Sequence, residues 1–216
     1  MSTASTLKVM DIGLRSYESA LSIQESLVED RKKNAISDVL LFVIHEPVYT
    51  LGRNADESNM IASDTFRARH NIKVVRTSRG GEVTYHGPGQ LVVYPIIHLG
   101  QRGKLALWYI SALEETIIRT LFHFNITGNT DRKNRGVWVG NDKIAAIGVR
   151  ITGHVTMHGL SLNVHADLTP YEGIISCGIK DKGHTSMHLL TADVSMASVK
   201  HRLIVEFKRV LEEEDP

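Results

Sequence analysis

The chain has 216 residues, enough for one compact domain with a sizeable core or for a domain with a small lobe. Its 42% hydrophobic and 23% charged residues are an ordinary globular balance, which excludes a disordered chain. Lys and Arg number 25 against 24 Asp and Glu, so the net charge of +1 gives no overall field for nucleic acid.

Residues 1–13 lack an apolar h-region and an Arg-rich pattern, so neither a secretory signal nor a transit peptide is expected. Residues 17–28 place Tyr17, Ala20, Leu21, Gln24, Leu27 and Val28 on one helical face, with Ser16 as the cap. The β-branched run 39–44 predicts a buried strand, and 48–51 a second one ending at Gly52. Further strands are predicted over 72–76 and 91–97, with a glycine-rich loop over 79–90 between them. A long helix is predicted over 105–124, followed by strands over 136–139, 144–151 and 155–164, with Gly140-Asn141 as a hairpin turn. Residues 165–190 read as loop, and 194–211 as an amphipathic helix capped by Asp193. The apolar runs 39–44 and 91–97 are too short to span a bilayer, so a cytoplasmic protein is expected. Hairpin strands mixed with separated helices favour an α+β class over a doubly wound sheet. The chain reads as a single domain, 1–216, with 188–216 a candidate C-terminal helical extension.

Three features invite chemistry. The stretch Arg79-Gly80-Gly81-Glu82-Val83-Thr84-Tyr85-His86-Gly87-Pro88-Gly89-Gln90 would let a backbone approach a ligand closely and leave N–H groups free to bind it. It is neither a P-loop nor a dinucleotide fingerprint, and it could equally be a plain surface loop. Cys177, the one cysteine, excludes an internal disulfide and a multi-cysteine metal site. It is either a small buried hydrophobe or a nucleophile, and the second role needs a neighbour that favours the thiolate. Lys143 opens a strand of small apolar residues, as a snorkelling lysine or as a general acid and base. His45-Glu46 begins like a zincin motif, but Tyr49 stands where the second histidine belongs. His154, His158 and His165 form no metal-ligand pattern with cysteines, so no metal and no cofactor are expected.

RGGEVTYHGPGQLVVYPI (79–96) resembles the signature of the lipoyl(octanoyl) transferase family. LGRNAD (51–56), KIAAIGVRI (143–151), VTMHGLSLNV (155–164) and CGIKDKGHTSM (177–187) resemble further blocks of that family in the same order. The resemblance implies the mixed-sheet α+β fold of biotin and lipoate protein ligases, shared with class II aminoacyl-tRNA synthetases. It implies transfer of octanoyl from acyl carrier protein to the lipoyl-domain lysine of 2-oxoacid dehydrogenase subunits or the glycine cleavage H protein. Cys177 matches the family's acyl-accepting nucleophile and Lys143 its partner. Arg79, Gly80, Gly81, Glu82, Val83, Thr84, Tyr85 and His86 would line the acyl site. Ala146, Ile147 and Gly148 would face them, with Gly159, Leu160 and Ser161. Ser176 stands where the family commonly has proline, and Asn141-Asp142 is more acidic than its pattern. Acidic carrier and acceptor domains would meet basic residues at the site mouth, for which Arg53, Arg76, Arg79, Arg150 and Lys182 are candidates. An ATP-dependent ligase of the same fold needs neither Cys177 nor its pairing with Lys143. A non-catalytic acyl-binding module has no reason to hold that pair either. A cysteine peptidase stays open on Cys and His content alone.

Overall fold

The computed structural model describes residues 7–131, 133–175 and 182–213. The chain enters through β1 (Lys8–Arg15), turns into α1 (Tyr17–Lys32) and returns as β2 (Val39–His45), to which β1 pairs in parallel. Residues 8–15 escape a pattern reading because the strand is a largely exposed edge whose alternation breaks at a bulge between Asp11 and Leu14. Ser16 caps α1 as expected, its hydroxyl accepting the Ser19 N–H at 3.3 Å.

Next come β3 (Val48–Leu51), α2 (Asp64–Arg69), β4 (Lys73–Arg76), β5 (Val83–His86) and β6 (Gln90–Ile96). Strand β3 pairs in parallel with β4 and antiparallel with β5, giving a three-stranded sheet in the order β4-β3-β5. The stretch 79–90 is therefore not all loop. Val83-Thr84-Tyr85-His86 is a run of β-formers that the flanking glycines conceal, and pairing with β3 supplies its ladder.

After α3 (Ala106–His123) the chain forms β7 (Asn129–Thr130), β8 (Val137–Val139), β9 (Asp142–Thr152) and β10 (Val155–Asn163). The predicted two-residue turn is present, with Gly140 at φ 58° between β8 and β9. These strands join the others in a seven-stranded mixed sheet ordered β1-β2-β6-β10-β9-β8-β7. The last element, α4 (Met196–Glu212), starts from Ser195, not Asp193. The Ser195 hydroxyl accepts the Ser198 N–H, and the Ser198 hydroxyl lies within bonding distance of the Ser195 N–H, closing a capping box.

Alternation along the central strands sends side chains to two cores. Leu40, Phe42, Leu91, Val93, Leu160 and Leu162 pack with Leu113, Ile117 and Leu121 of α3 and Val199, Leu203 and Phe207 of α4. Val39, Leu41, Val43, Val92, Ile96 and Met157 pack on the other face with Ala20 and Val28 of α1. Among the described residues no helix is long and apolar enough to cross a membrane.

Candidate active site

A cavity of about 410 Å³ opens on the α1 face of the large sheet, bounded opposite by residues 79–86. That volume suits a small ligand. Its sheet wall is built from small residues: Gly159 pairs with Gly148, and Ser161 with Ala146, on adjacent strands β10 and β9. A Cβ on Gly148 would lie 3.0 Å from the Gly80 carbonyl oxygen and 3.1 Å from Arg79 Cδ, so the glycine turn sits directly on the strand. The Gly80 N–H donates to Val149 O at 3.0 Å, which fixes that approach.

Arg79 is buried and donates from Nε and Nη2 to the Thr50 hydroxyl, and from Nη1 to Gly80 O at 3.0 Å. Its place is the interior between β3 and the glycine turn, so it is no part of a basic docking surface. The exposed Arg76 pairs with Glu57, and Lys182 with Asp131 at 2.8 Å. Glu82 Oε2 accepts from Asp56 N at 3.1 Å and Asn59 Nδ2 at 3.3 Å, tying the glycine turn to 56–59. The Asn59 carbonyl in turn accepts the Ile175 N–H at 2.7 Å.

Of the sequence-selected residues, Arg79, Gly81, Glu82, Val83, Thr84, His86, Ala146, Ile147, Gly148, Gly159, Leu160 and Ser161 line the cavity together with Lys143. Gly80 sits behind them, and Tyr85 turns away to pack edge-on against Tyr49 and Tyr171. Cys177 and its neighbour Ser176 lie outside the described residues.

Lys143 is buried at 5% exposure. Its Nζ donates to Arg135 O at 3.1 Å and stands 4.7 Å from the centre of the Trp138 ring. Lys182 Nζ lies 4.3 Å from the same ring centre. The backbone of Lys143 brackets His184: Lys143 N donates to Gly183 O at 2.9 Å and Thr185 N donates to Lys143 O at 3.0 Å. His184 also lines the cavity and stacks on Tyr171 at 3.8 Å between ring centres. Burial, with the Lys143 charge beside it, pushes its pKa down to about 4, so His184 is a neutral group.

The other end of the cavity is aromatic and polar. His45 Nδ1 donates to Arg15 O at 3.3 Å, which leaves Nε2 to accept the Tyr94 hydroxyl at 2.7 Å. His86 Nδ1 donates to Gln90 Oε1 at 2.7 Å, and Gln90 Nε2 donates to Asn163 Oδ1 at 2.9 Å. The Tyr171 hydroxyl also donates to Asn163 Oδ1, at 3.3 Å. Burial drives His86 well below its ordinary pKa and His158 down to about 4, so these imidazoles too are neutral. Sequence reading missed Tyr17, Tyr94, Asn163, Tyr171 and His184 as cavity residues. Tyr94, Asn163 and His184 fall inside the quoted 79–96, 155–164 and 177–187 blocks, whereas Tyr17 and Tyr171 lie outside all of them. No group of three or more His, Cys, Asp or Glu among the described residues could hold a metal ion.

The model of the lipoyl protein ligase A/B catalytic domain matches residues 16–208. An octanoyltransferase of Alkaliphilus metalliredigens is 44% identical over 174 residues, covering 80% of this chain and 79% of that protein. One from Acidobacterium capsulatum is 41% identical over 220 residues, covering 94% and 89%. Among solved structures, P. falciparum LipL1 in complex with lipoate superposes with a TM-score of 0.77 at 16% identity, covering 98% of this chain and 65% of that one. A biotin protein ligase of Aquifex aeolicus superposes with a TM-score of 0.55 at 11% identity, covering 96% and 70%. The fold is thus the one shared by lipoate and biotin protein ligases, and the 79–96 signature, the small-residue wall and these relatives agree that the chain belongs to the octanoyltransferases of the lipoyl protein ligase A/B catalytic domain family.

Proposed function

We propose that the protein moves an octanoyl group from the thioester of an acyl carrier protein to the lipoyl-domain lysine of an acceptor, through a thioester on Cys177. Lipoyl domains of 2-oxoacid dehydrogenases and the glycine cleavage H protein are the acceptors this reading expects, and the cytoplasm is its compartment. The observation that carries it is Lys143: an amine buried in a cavity wall of small residues and held by a carbonyl and an indole face. In this reading the Cys177 thiolate attacks the octanoyl carbonyl, and the carrier's sulfur leaves with its electron pair and takes a proton from the Lys143 ammonium. The lysine amine of the acceptor then attacks the Cys177 thioester, giving up a proton to Lys143 as the amide forms and the Cys177 thiolate departs. The acyl group stays activated throughout, so neither ATP nor a cofactor is required. Burial favours this use of Lys143, since it holds the ammonium against the cavity wall and away from bulk water. Exposed Arg53 and Arg150 supply basic groups for an acidic carrier.

Intact-mass analysis after mixing with octanoyl-acyl carrier protein tests the reading. The expected result is a gain of one octanoyl group that is absent in Cys177→Ser and is chased off by apo lipoyl domain. Acceptor modified only when ATP is present, with no adduct on the protein, would move the chain to the ligase branch.

A further inference from the structure

The buried carboxylate of Glu114 is not used by the mechanism above. It lies on α3 at 3% exposure, among the helix positions turned to the core. A carboxylate in such a place is costly unless its oxygens are satisfied. Both are, and by one short turn: Oε2 accepts from Arg135 Nη1 at 2.9 Å, and Oε1 from the Gly136 N–H at 3.1 Å. That turn carries the Arg135 carbonyl to which Lys143 Nζ donates. Its Asn134 carbonyl accepts the Trp138 Nε1–H at 3.0 Å, fixing the indole over which the Lys143 ammonium sits.

The turn has little freedom to shift. Gly136 has a φ of 124°, and a Cβ there would lie 2.5 Å from Ala145 O and 3.3 Å from Lys143 Cε. The turn is pressed against the lysine's own side chain on one side and held by Glu114 on the other. Asp131 secures its start, accepting from Lys133 N, Asn134 Nδ2 and Lys182 Nζ.

We infer that Glu114 is a positioning residue for Lys143: from α3 it clamps the 135–136 turn that leads into β8, whose Arg135 carbonyl aims the Lys143 ammonium into the cavity. This rests on the reading of Lys143 as the partner of Cys177. A carboxylate serving only to anchor the turn would affect folding alone.

Cys177 is the one cysteine of the chain, so its alkylation by iodoacetamide can be followed against pH without interference. The proteins to compare are wild type, Glu114→Ala, Glu114→Gln, Lys143→Met and the double variant Glu114→Ala/Lys143→Met. Lys143→Met should raise the alkylation midpoint by about one pH unit, because the thiolate loses a cation. Folded Glu114→Ala should move it in the same direction, and Glu114→Gln, which keeps an acceptor for Gly136 N–H, by less. The double variant should match Lys143→Met alone, since there is no ammonium left to position. Single-turnover octanoyl transfer should slow in Glu114→Ala with the donor KM within about twofold of wild type. Folded Glu114 variants with the wild-type midpoint would overturn the inference, as would a Glu114 shift of full size in the Lys143→Met background. Lys143→Met at the wild-type midpoint would instead remove the underlying reading of the lysine, and the positioning role with it.

Discussion

His158 sits inside β10 with a φ of 59°, in the left-handed region. The other non-glycine residues there, Asn34, Asn71, Asn125 and His154, lie at helix ends or in a hairpin turn, where such backbone is ordinary. Simple alternation would give His158 the face of Leu160, towards α3 and α4; the left-handed twist turns its ring into the cavity, edge-on to Tyr94 at 6.2 Å. The Gln24 side chain of α1 supports the distortion by accepting the His158 N–H at 2.9 Å. His158 Nδ1 and Gln24 Nε2 are buried with no protein partner among the described residues. Strain of this kind costs about 1–3 kcal/mol and gathers at functional sites. A β-branched residue tolerates left-handed backbone far worse than Asn does. His158→Val should therefore unfold at lower urea than His158→Asn, by about 1–2 kcal/mol, while both slow octanoyl transfer. Equal unfolding midpoints for the two variants would show that the backbone relaxes and stores no strain.

The three-stranded sheet acts as the outer wall of the cavity, and its fit depends on two backbones meeting at Gly52. A Cβ there would stand 2.2 Å from Gly81 O and 2.8 Å from Arg79 Nη1. The glycine turn closes over this spot, with Arg53 N donating to Arg79 O at 2.9 Å. Gly52→Ala must push the 79–81 turn off β3 and loosen Arg79 from Thr50. The expected result is a loss of about 1–3 kcal/mol in urea unfolding together with slower transfer. Wild-type stability and rate in this variant would mean that the turn can shift without consequence. At this scale the central strands and the three long helices were legible, because continuous apolar runs and helical periodicity reflect burial. β5 was not, because its four residues are flanked by glycines and gain strand character only from β3. β1 was not either, because an exposed parallel edge leaves little pattern. The site was legible where one segment carries it: 79–84, Lys143 and the 146–148 wall. Tyr17, Tyr94, Tyr171 and His184 come from four distant elements and converge only through packing, so no local spacing marks them.

Across the whole molecule, imidazoles that fold in the neutral state gather at the cavity floor, with His86 and His158 lining it and His45 packed behind them against His86 and Tyr94. His45 and His158 are at most 1% exposed, and burial pushes both down to about 4 from the ordinary 6.5. His86, beside His45 at 5.6 Å between ring centres, is likewise driven well below the ordinary value by burial and by that neighbour. In the unfolded chain each of these would bind a proton below about pH 6.5, whereas the folded protein refuses it until near pH 4. The unfolded state therefore holds more protons throughout that window, and stability rises with pH across it. Their contribution is complete above about pH 6.5 and is lost as pH falls towards 4. Surface ion pairs such as Lys73–Glu46 cannot mimic this, because exposed pairs contribute little. Urea unfolding at constant ionic strength should show stability falling steadily between about pH 6.5 and pH 4.5. His158→Gln, which cannot take up a proton, should flatten that slope by about one proton's worth, whatever it does to stability at pH 8. A wild-type curve level down to pH 5 would mean that the imidazoles accept protons in the folded state. The floor would then carry positive charge against Arg79, and the neutral hydrogen-bond network that shapes the cavity would have to rearrange.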